Sequence, residues 1–376
     1  MESVICIGGD WGRNPSTAQF IARELAREHR VLWVNSLGLR APRLAGADVS
    51  RMARKLRERC QGVRWAEPNL HVFTPLLLPF YSVPGVAALN GILLRTNLRA
   101  AIRRLGIDRP ALVAANPAGG MVVGRLGERR SAYYCADEWT DLPGMPRDAV
   151  TALEADLCAR ADVTIVTSEL LRSRKASLAR RIALVRHGVD HAHFAAALDP
   201  ATPLAGDLAC LPRPRIGFHG LVQDIIDFDL VARVARRRPG WSFVFVGPRT
   251  FDAGVIPQAP NIHFLGKRGY DEIPRYLKGF DVGLIPFRLT GRTVHANPVK
   301  LREYLAAGVP VVSVPLPEVN AYRSHVRFAG SPEDLLRAIE ATLGEDTDAD
   351  RRSRSASVAG ETWAAVTKQV ADLLFG

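Results

Sequence analysis

Residues Asp281–Pro317 read DVGLIPFRLTGRTVHANPVKLREYLAAGVPVVSVPLP. The run DVGLIPF is apolar throughout, as a buried strand would be. A polar loop follows it. A helix is expected to begin near Asn297–Pro298, because Asn caps helices well and Pro is favoured in the first turn. Gly308-Val309-Pro310 ends that helix and opens a second apolar strand, PVVSVP. Strand, helix and strand in succession belong to a parallel sheet with helices packed on its faces. In such sheets ligands bind outside the carboxyl ends of the strands, where helix N-termini offer free N–H groups.

Lys300 falls in the first turn of the expected helix. A cation there opposes the helix dipole, so neutralising a bound diphosphate explains it better than helix stability does; a solvated surface lysine is the alternative. Glu303 comes one turn later and can face the same side. Its carboxylate can accept two hydrogen bonds from the vicinal hydroxyls of a ribose. Taken alone, Lys300 and Glu303 would be an ordinary helix pair worth about 0.3 kcal/mol.

The alternation continues on both sides of this segment. RIGFHG, WSFVFVGP and NIHFLG read as strands of the second half, with DFDLVARVARRRPG, DEIPRYLKGF and PEDLLRAIEATL as helices. SVICIGG, VLWVNS, ALVAANP, SAYYCADE, DVTIVTS and IALVRHG read as strands of the first half, with PSTAQFIARELAREH an amphipathic helix. The Ala-, Pro- and Gly-rich stretch 188–213 is the expected linker, and DTDADRRSRSASVAG (346–360) an exposed polar connector. The last segment, ETWAAVTKQVADLLF, sets Trp363, Val366, Val370 and Leu373–Leu374 on one side, so it must dock. The expected architecture is α/β: two doubly wound domains facing a central cleft. They are 1–195, with 360–376 returning to it, and 196–359.

Length and composition agree. At 376 residues the chain is two ordinary domains, and 47% hydrophobic content excludes disorder for most of it. Of the net +12, residues 1–190 carry 28 basic against 18 acidic side chains, and residues 191–376 carry 22 against 20. The first half is therefore the one that meets an anion: nucleic acid, an acidic membrane or an acidic substrate. The five cysteines, Cys6, Cys60, Cys135, Cys158 and Cys210, show no metal-knuckle or redox-pair spacing and read as small buried apolar residues of a reducing compartment. MESVICIGGDW begins directly as a strand, so no export signal is expected.

Val72–Leu94 is free of charge for 23 residues. Pro75, Pro79 and Pro84, then Asn90 and Gly91, argue against a membrane-spanning helix. Two readings stand: a buried loop followed by a core helix, or a loop dipping into a membrane surface. Its flanks bear on the second. Eight basic residues precede it (Arg40, Arg43, Arg51, Arg54, Lys55, Arg57, Arg59 and Arg64, against Asp48 and Glu58), and Arg95, Arg99, Arg103 and Arg104 follow. Basic residues beside aliphatic ones suit an anionic membrane surface, at about 1 kcal/mol per well-placed charge.

The string NPVKLREYLAAGVPVVSVPLPEV resembles retaining glycosyltransferases of family 4, which have the GT-B fold of two Rossmann-like domains. More narrowly, it resembles the bacterial surface-polysaccharide branch that includes teichuronic-acid-type transferases. GGDW, YYCADEWTDLPG, HGVDHAHF, IGFHG, FVFVGP and NIHFLGKRGYDEIPRYLKGFDVGLIPF fit the same branch. The likeness covers nearly the whole chain. It is strong from about 213 to 320 and loose in the first domain, where acceptors are usually bound.

The resemblance implies roles residue by residue. Glu303 matches the second Glu of the family's Glu–seven residues–Glu motif, which holds the nucleotide ribose. Lys300 and Asn297–Pro298 match the diphosphate-binding end, and Gly220 the glycine near the phosphates. Gly266 to Tyr270, with Arg268, match the loop that contacts the base. Val189-Asp190 and Phe194 match the hinge signature. Two departures stand out. His295 replaces the family's first Glu, the one that contacts the donor sugar; it can hydrogen-bond a sugar hydroxyl, meet an acidic sugar with Arg288 and Arg292, or have no direct role. No Arg…Lys-Gly phosphate pair follows Gly220; His219, Gln223 and Arg249 are the candidate substitutes.

On the acceptor side, Gly8-Gly9-Asp10-Trp11 follows the first strand, and Gly8-Gly9 would let a ligand approach the backbone. Asn116 ends the strand ALVAANP. Asp137 and Glu138 end SAYYCADE, and either bind acceptor hydroxyls and assist proton transfer or cap a turn. His295 and Asp137 are the catalytic candidates.

The resemblance implies transfer of a sugar from a nucleoside diphosphate sugar to a lipid-linked or polysaccharide acceptor. The leaving diphosphate itself takes the acceptor proton, so no side-chain nucleophile is needed. No cofactor and no metal are implied, since no Asp-x-Asp motif stands in the cleft segment. Domain closure about the linker is expected to expel water. The expected location is cytoplasmic, peripheral on the inner face of the membrane. The rival readings are a GT-B-like sugar-nucleotide epimerase and a non-catalytic nucleotide-sugar-binding subunit. A nucleic-acid partner is not expected, for no nucleic-acid motif accompanies the charge.

Overall fold

Short, mostly buried runs alternating with helices build two largely parallel sheets. The computed structural model describes residues 1–13, 16–37, 57–58, 62–78, 83, 85–142, 144–251 and 259–376. Arg40, Arg43, Arg51, Arg54, Lys55, Arg59, Asp48, Cys60, Pro79 and Pro84 lie outside the described residues. Two units result: Met1–His187 with Trp363–Gly376, and Gly188–Thr362.

In the first unit the strands are β1 (Ser3–Ile7), β2 (Arg30–Val34), β3 (Val63–Glu67), β4 (Leu70–Phe73), β5 (Ala111–Ala114), β6 (Arg130–Cys135), β7 (Val163–Val166) and β8 (Ile182–Leu184). They pair in the order β3-β4-β2-β1-β5-β6-β7-β8. Helices α1 (Thr17–Leu25), α2 (Val86–Arg104), α3 (Arg147–Arg160) and α4 (Glu169–Lys175) connect them. Alternate residues of each strand feed opposite faces. Ile5, Ile7, Leu32 and Val34 pack with Leu94 and Leu98 of α2 and Leu157 of α3. Val4, Cys6, Val31 and Trp33 pack on the other face with Ile21 and Leu25 of α1 and with the C-terminal helix Trp363–Phe375. Its pattern required that helix to dock, and it docks on the first unit. Trp363 stacks on Phe20 with ring centroids 4.8 Å apart, and Val366, Val370 and Leu374 are buried. Each such side chain contributes roughly 1.5–3 kcal/mol by leaving water.

Not every strand was legible. β3 runs antiparallel to β4 through a turn in which Asn69 takes φ +57, a conformation Asn tolerates better than most residues. Residues 63–73 alternate too weakly to announce a hairpin. Of the uncharged stretch, Val86 onward forms α2, and among the described residues no helix is long and apolar enough to cross a membrane.

The second unit contains β9 (Arg215–His219), β10 (Ser242–Val246), β11 (Ile262–Gly266), β12 (Val282–Ile285), β13 (Val311–Ser313) and β14 (Val326–Phe328). They pair in the order β11-β10-β9-β12-β13-β14, all parallel. Its helices include α5 (Phe228–Arg237), α6 (Val299–Ala306), α7 (Pro332–Glu345) and α8 (Asp348–Ser357). The stretch 188–213 packs into this unit, with Phe194, Ala197, Ala205 and Leu208 in its core.

Residues 346–360, expected as an exposed connector, are a correction, because they contain α8. Thr347 and Asp350 form a capping box at its start. The buried Arg354 guanidinium donates twice to the Gly308 carbonyl, at 3.0 and 2.9 Å. Composition hid the helix because its anchors are a cap and an arginine rather than an apolar stripe.

Cys6, Cys135 and Cys158 are buried as expected, whereas Cys210 is exposed. Burial pushes the Cys6 thiol up to about 12 and the Cys158 thiol to about 11, so neither is a thiolate at neutral pH. Among these four, iodoacetamide on the native protein should modify Cys210 alone, as read by peptide mass spectrometry. Labelling of Cys6 or Cys158 before unfolding would contradict the packing.

Candidate active site

The strand order of the second sheet reverses between β9 and β12, so their carboxyl ends open a crevice. Gly220, after β9, has φ +109, and Gly247, after β10, has φ +148. A Cβ on Gly247 would lie 1.8 Å from the Gly220 carbonyl oxygen, so only glycine fits there. Gly220 N–H donates to Val246 O at 2.9 Å, and Gly247 N–H to Gly266 O at 2.8 Å. The ends of three neighbouring strands therefore form a floor of bare backbone.

Helix α6 stands over this floor. Its N-cap is Pro298, with no side-chain cap, and not Asn297 as expected. The reason lies in Arg302, which is fully buried and must find acceptors. Asn297 Oδ1 accepts from its Nη1 at 2.8 Å, and Glu361 Oε2 from its Nε at 2.7 Å. Glu361 also accepts from the Tyr322 hydroxyl at 2.6 Å. The first N–H groups of α6 are left without a capping side chain.

Lys300 is the second residue of α6 and is half-buried. Its Nζ lies 5.0 Å from the Phe218 ring centroid and 5.2 Å from that of Phe287. It comes within 3.8 Å of where a Gly220 side chain would begin. Among the described residues Nζ makes no hydrogen bond or ion pair. Burial holds its pKa below the ordinary lysine value, with the Glu303 carboxylate pulling the other way.

Glu303, one turn on, sets Oε2 3.2 Å from His219 Nε2. The next residue, Tyr304, faces the sheet. Its hydroxyl accepts from His219 N–H at 3.1 Å, and its ring lies where a Cβ on Gly283 would approach to 3.0 Å. Sequence reasoning missed Tyr304, Phe218, Phe287 and Gly247. Strand register brings Phe218, Phe287 and Gly247 to the Lys300 end of α6, and the helix itself turns Tyr304 onto the sheet.

Of the expected donor residues, Gly220, His219, Lys300 and Glu303 thus converge. Arg268 and Tyr270 gather past the end of β11. There Arg268 donates to Asp207 at 2.6 Å and to the Tyr276 hydroxyl at 2.5 Å, while Tyr270 stacks on His193 at 4.3 Å. Arg249 lies over the Phe264 ring at 5.2 Å. Arg292 pairs with Asp224 at 3.3 Å and donates to Gln223 at 3.2 Å. His295 is buried in the loop between β12 and α6.

The first sheet reverses between β1 and β5, and the acceptor-side candidates sit at the ends of β1, β5 and β6. Gly8 packs on the Trp33 ring, where a Cβ would clash at 2.4 Å, and Gly9 O accepts from Trp33 Nε1 at 2.9 Å. Trp11 N–H donates to Asn35 at 2.9 Å, and its ring meets Trp33 edge-on at 5.0 Å. The Asp10 carbonyl accepts from Gln19 at 3.3 Å. Asn116 is buried, and its Oδ1 has no partner among the described residues.

Asp137 and Glu138 part company. Asp137 is exposed, whereas Glu138 turns inward to Lys175 at 3.0 Å. Lys175 also binds Glu154 at 2.8 Å, which accepts from the Tyr133 hydroxyl at 2.6 Å. Burial raises the Glu138 pKa, but Thr140 and Lys175 outweigh it and the net shift is downward. Burial opposes the Lys175 charge too, yet Glu154 and Glu138 leave its pKa raised. No group of three His, Cys, Asp or Glu side chains among the described residues is placed to hold a metal.

Comparisons with known proteins agree with this layout. Residues 213–345 match the family described as "Glycosyl transferases group 1". A Bacillus subtilis (strain 168) protein named "Putative teichuronic acid biosynthesis glycosyltransferase TuaH" is 26% identical over 259 residues, 63% of this chain and 65% of that protein, just under two thirds of its length. The sucrose-phosphate synthase structure from Thermosynechococcus elongatus superposes with a TM-score of 0.71 at 14% identity, covering 99% of this chain and 98% of that one. Anabaena HepE in complex with UDP and glucose gives 0.70 at 13%, covering 100% and 99%. At such identities the structural likeness is one of fold. Residues 213–345 are therefore similar to the group 1 glycosyltransferases, in a chain of GT-B fold.

Proposed function

We propose that the chain transfers a sugar, with retention, from a nucleoside diphosphate sugar to a lipid-linked or polysaccharide acceptor in bacterial surface-glycan synthesis. It would work peripherally on the inner face of the cell membrane. The observation that carries the reading is the Lys300 ammonium, unpaired among the described residues, in the uncapped first turn of α6 above a floor of bare backbone. A diphosphate supplies what that place lacks: negative charge and acceptors. The names of the similar proteins point the same way, since HepE holds UDP and glucose.

In the reaction the bond from the anomeric carbon to the diphosphate breaks and a bond to the acceptor oxygen forms. The acceptor proton passes to the departing diphosphate. Lys300 and the α6 N-terminus would stabilise the charge that builds there. Glu303 would accept from the two ribose hydroxyls, held in place by His219. Arg268 and Tyr270 would border the base. His295 would hydrogen-bond the sugar, and Gly9, Asp10, Trp11, Asn116 and Asp137 would line the acceptor side.

Glu303→Ala removes the charged acceptor of the ribose hydroxyls, and the loss of one such charged hydrogen bond alone costs roughly 1.5–3 kcal/mol. Nucleotide affinity should fall about 10- to 150-fold by calorimetry, and wild-type affinity would remove Glu303 from the site. The donor is identified by thermal shift over a panel of nucleotide sugars, since a bound donor raises the Tm. Incubation with that donor alone separates the readings: a changed free sugar nucleotide would make the chain an epimerase.

A further inference from the structure

In the first unit, helix α2 and the loop before it present an amphiphilic face. Along α2, Ala88, Leu89 and Ile92 point outward, with Leu89 45% and Ile92 54% exposed. Leu76 and Leu78 of the preceding loop are exposed beside them, while Leu77 packs inward. This presentation is built, because the buried Asn90 accepts from Leu78 N–H at 2.9 Å and donates to Leu78 O at 2.7 Å. The second half of the same helix face is basic: Arg95, Arg99 and Arg103.

The two halves meet over a cavity of about 290 Å³, floored by Gly91, Ile92, Met121 and Leu153 and rimmed by Arg95 and Arg125. Both guanidiniums donate to one carbonyl, Met121 O, at 3.1 and 3.4 Å. Gly91 makes this possible, since a Cβ there would lie 2.9 Å from Arg95 Nη1. Arg160 lies alongside, and Asp156, the one carboxylate lining the cavity among the described residues, is already paired with it. Burial first, then Arg160 and Arg95, push the Arg125 pKa down, with Asp156 opposing them. Among the described residues, the Arg95, Arg125 and Arg160 guanidiniums thus stand with one carboxylate beside an apolar hollow, which is the complement of an anion carrying a hydrocarbon chain.

We propose that this face docks on the bilayer and that the cavity takes one anionic phospholipid, its phosphate between Arg95 and Arg125. Leu76, Leu78, Leu89 and Ile92 enter the acyl boundary. Seven residues separate Ala88 from Arg95, about 10 Å along the helix. An apolar end buried roughly 5–10 Å therefore leaves the arginines at the level of the phosphates. The proposal rests on the reading of a membrane-associated transferase and locates the surface that makes it so.

Flotation with phosphatidylglycerol–phosphatidylcholine vesicles tests it on the full chain. Wild type should float with these vesicles at low salt, lose binding as salt rises, and ignore pure phosphatidylcholine. The double variant R95Q/R125Q should lower partitioning by about five-fold per charge removed. Leu89→Ser with Ile92→Ser, both exposed and harmless to the core, should lower it at least about tenfold. Equal binding to neutral vesicles, no flotation of wild type, or wild-type flotation of both variants overturns the proposal. Nucleotide affinity measured in parallel keeps the two readings apart. Intact vesicle binding without nucleotide binding sinks the transferase reading alone, and the reverse sinks the docking face alone.

Discussion

Lys300→Met should abolish most donor binding while making the ligand-free protein more stable. The ammonium is half-buried, is unpaired among the described residues, and stands where the α6 dipole already repels it. A charge-assisted contact to a diphosphate is worth roughly 1.5–3 kcal/mol, so affinity should drop about 10- to 150-fold by calorimetry. Its lowered pKa means that folding works against the charged form. Wherever the ammonium is charged, below that pKa, the charge costs stability, and methionine of similar length removes the cost. Thermal melts of the free protein should therefore show an unchanged or higher Tm. A lower Tm with unchanged affinity would make Lys300 structural. Affinity in wild type should weaken as pH rises through the Lys300 pKa, which lies below the ordinary lysine value, and Lys300→Met should lose that limb of the profile.

Lys175→Met should be among the most damaging single changes in the first unit. It leaves the buried Glu154 without its cation and the buried Glu138 with Arg174 alone, at 3.3 Å. Removing one partner of a buried ionic cluster costs about 3–5 kcal/mol, a large part of a domain's stability. Chemical denaturation should show that loss with an unchanged m-value. The pH dependence follows from the shifts. Glu138 is lowered, so its contribution is present above the ordinary glutamate value and fades as pH falls through its depressed pKa. Lys175 is raised, so its contribution is present below the ordinary lysine value and fades only as pH climbs through its elevated pKa. Wild type should thus hold a stability plateau between the two that the variant lacks.

These two lysines also mark how far the sequence could be read. Lys300 could be singled out because the signals around it are local: the turn, the helix start and Glu303 lie within one segment. Lys175 could not, for Glu138 and Glu154 lie 37 and 21 residues away. Asp137 and Glu138 looked alike in the sequence. The end of β6 turned one outward and the other into the core.

The sequence by itself determined the α/β alternation, the two-sheet architecture, a C-terminal helix with an apolar side to dock, and the placing of Lys300 and Glu303 one turn apart. Each depends on periodicity or on spacing within a few turns. Tertiary structure alone decided the Phe218–Phe287 box around Lys300, the meeting of Gly220 with Gly247, and the loss of Asn297 as a cap to Arg302. Strand register and the need of buried charges for partners act between segments far apart in the chain, where local patterns carry no information.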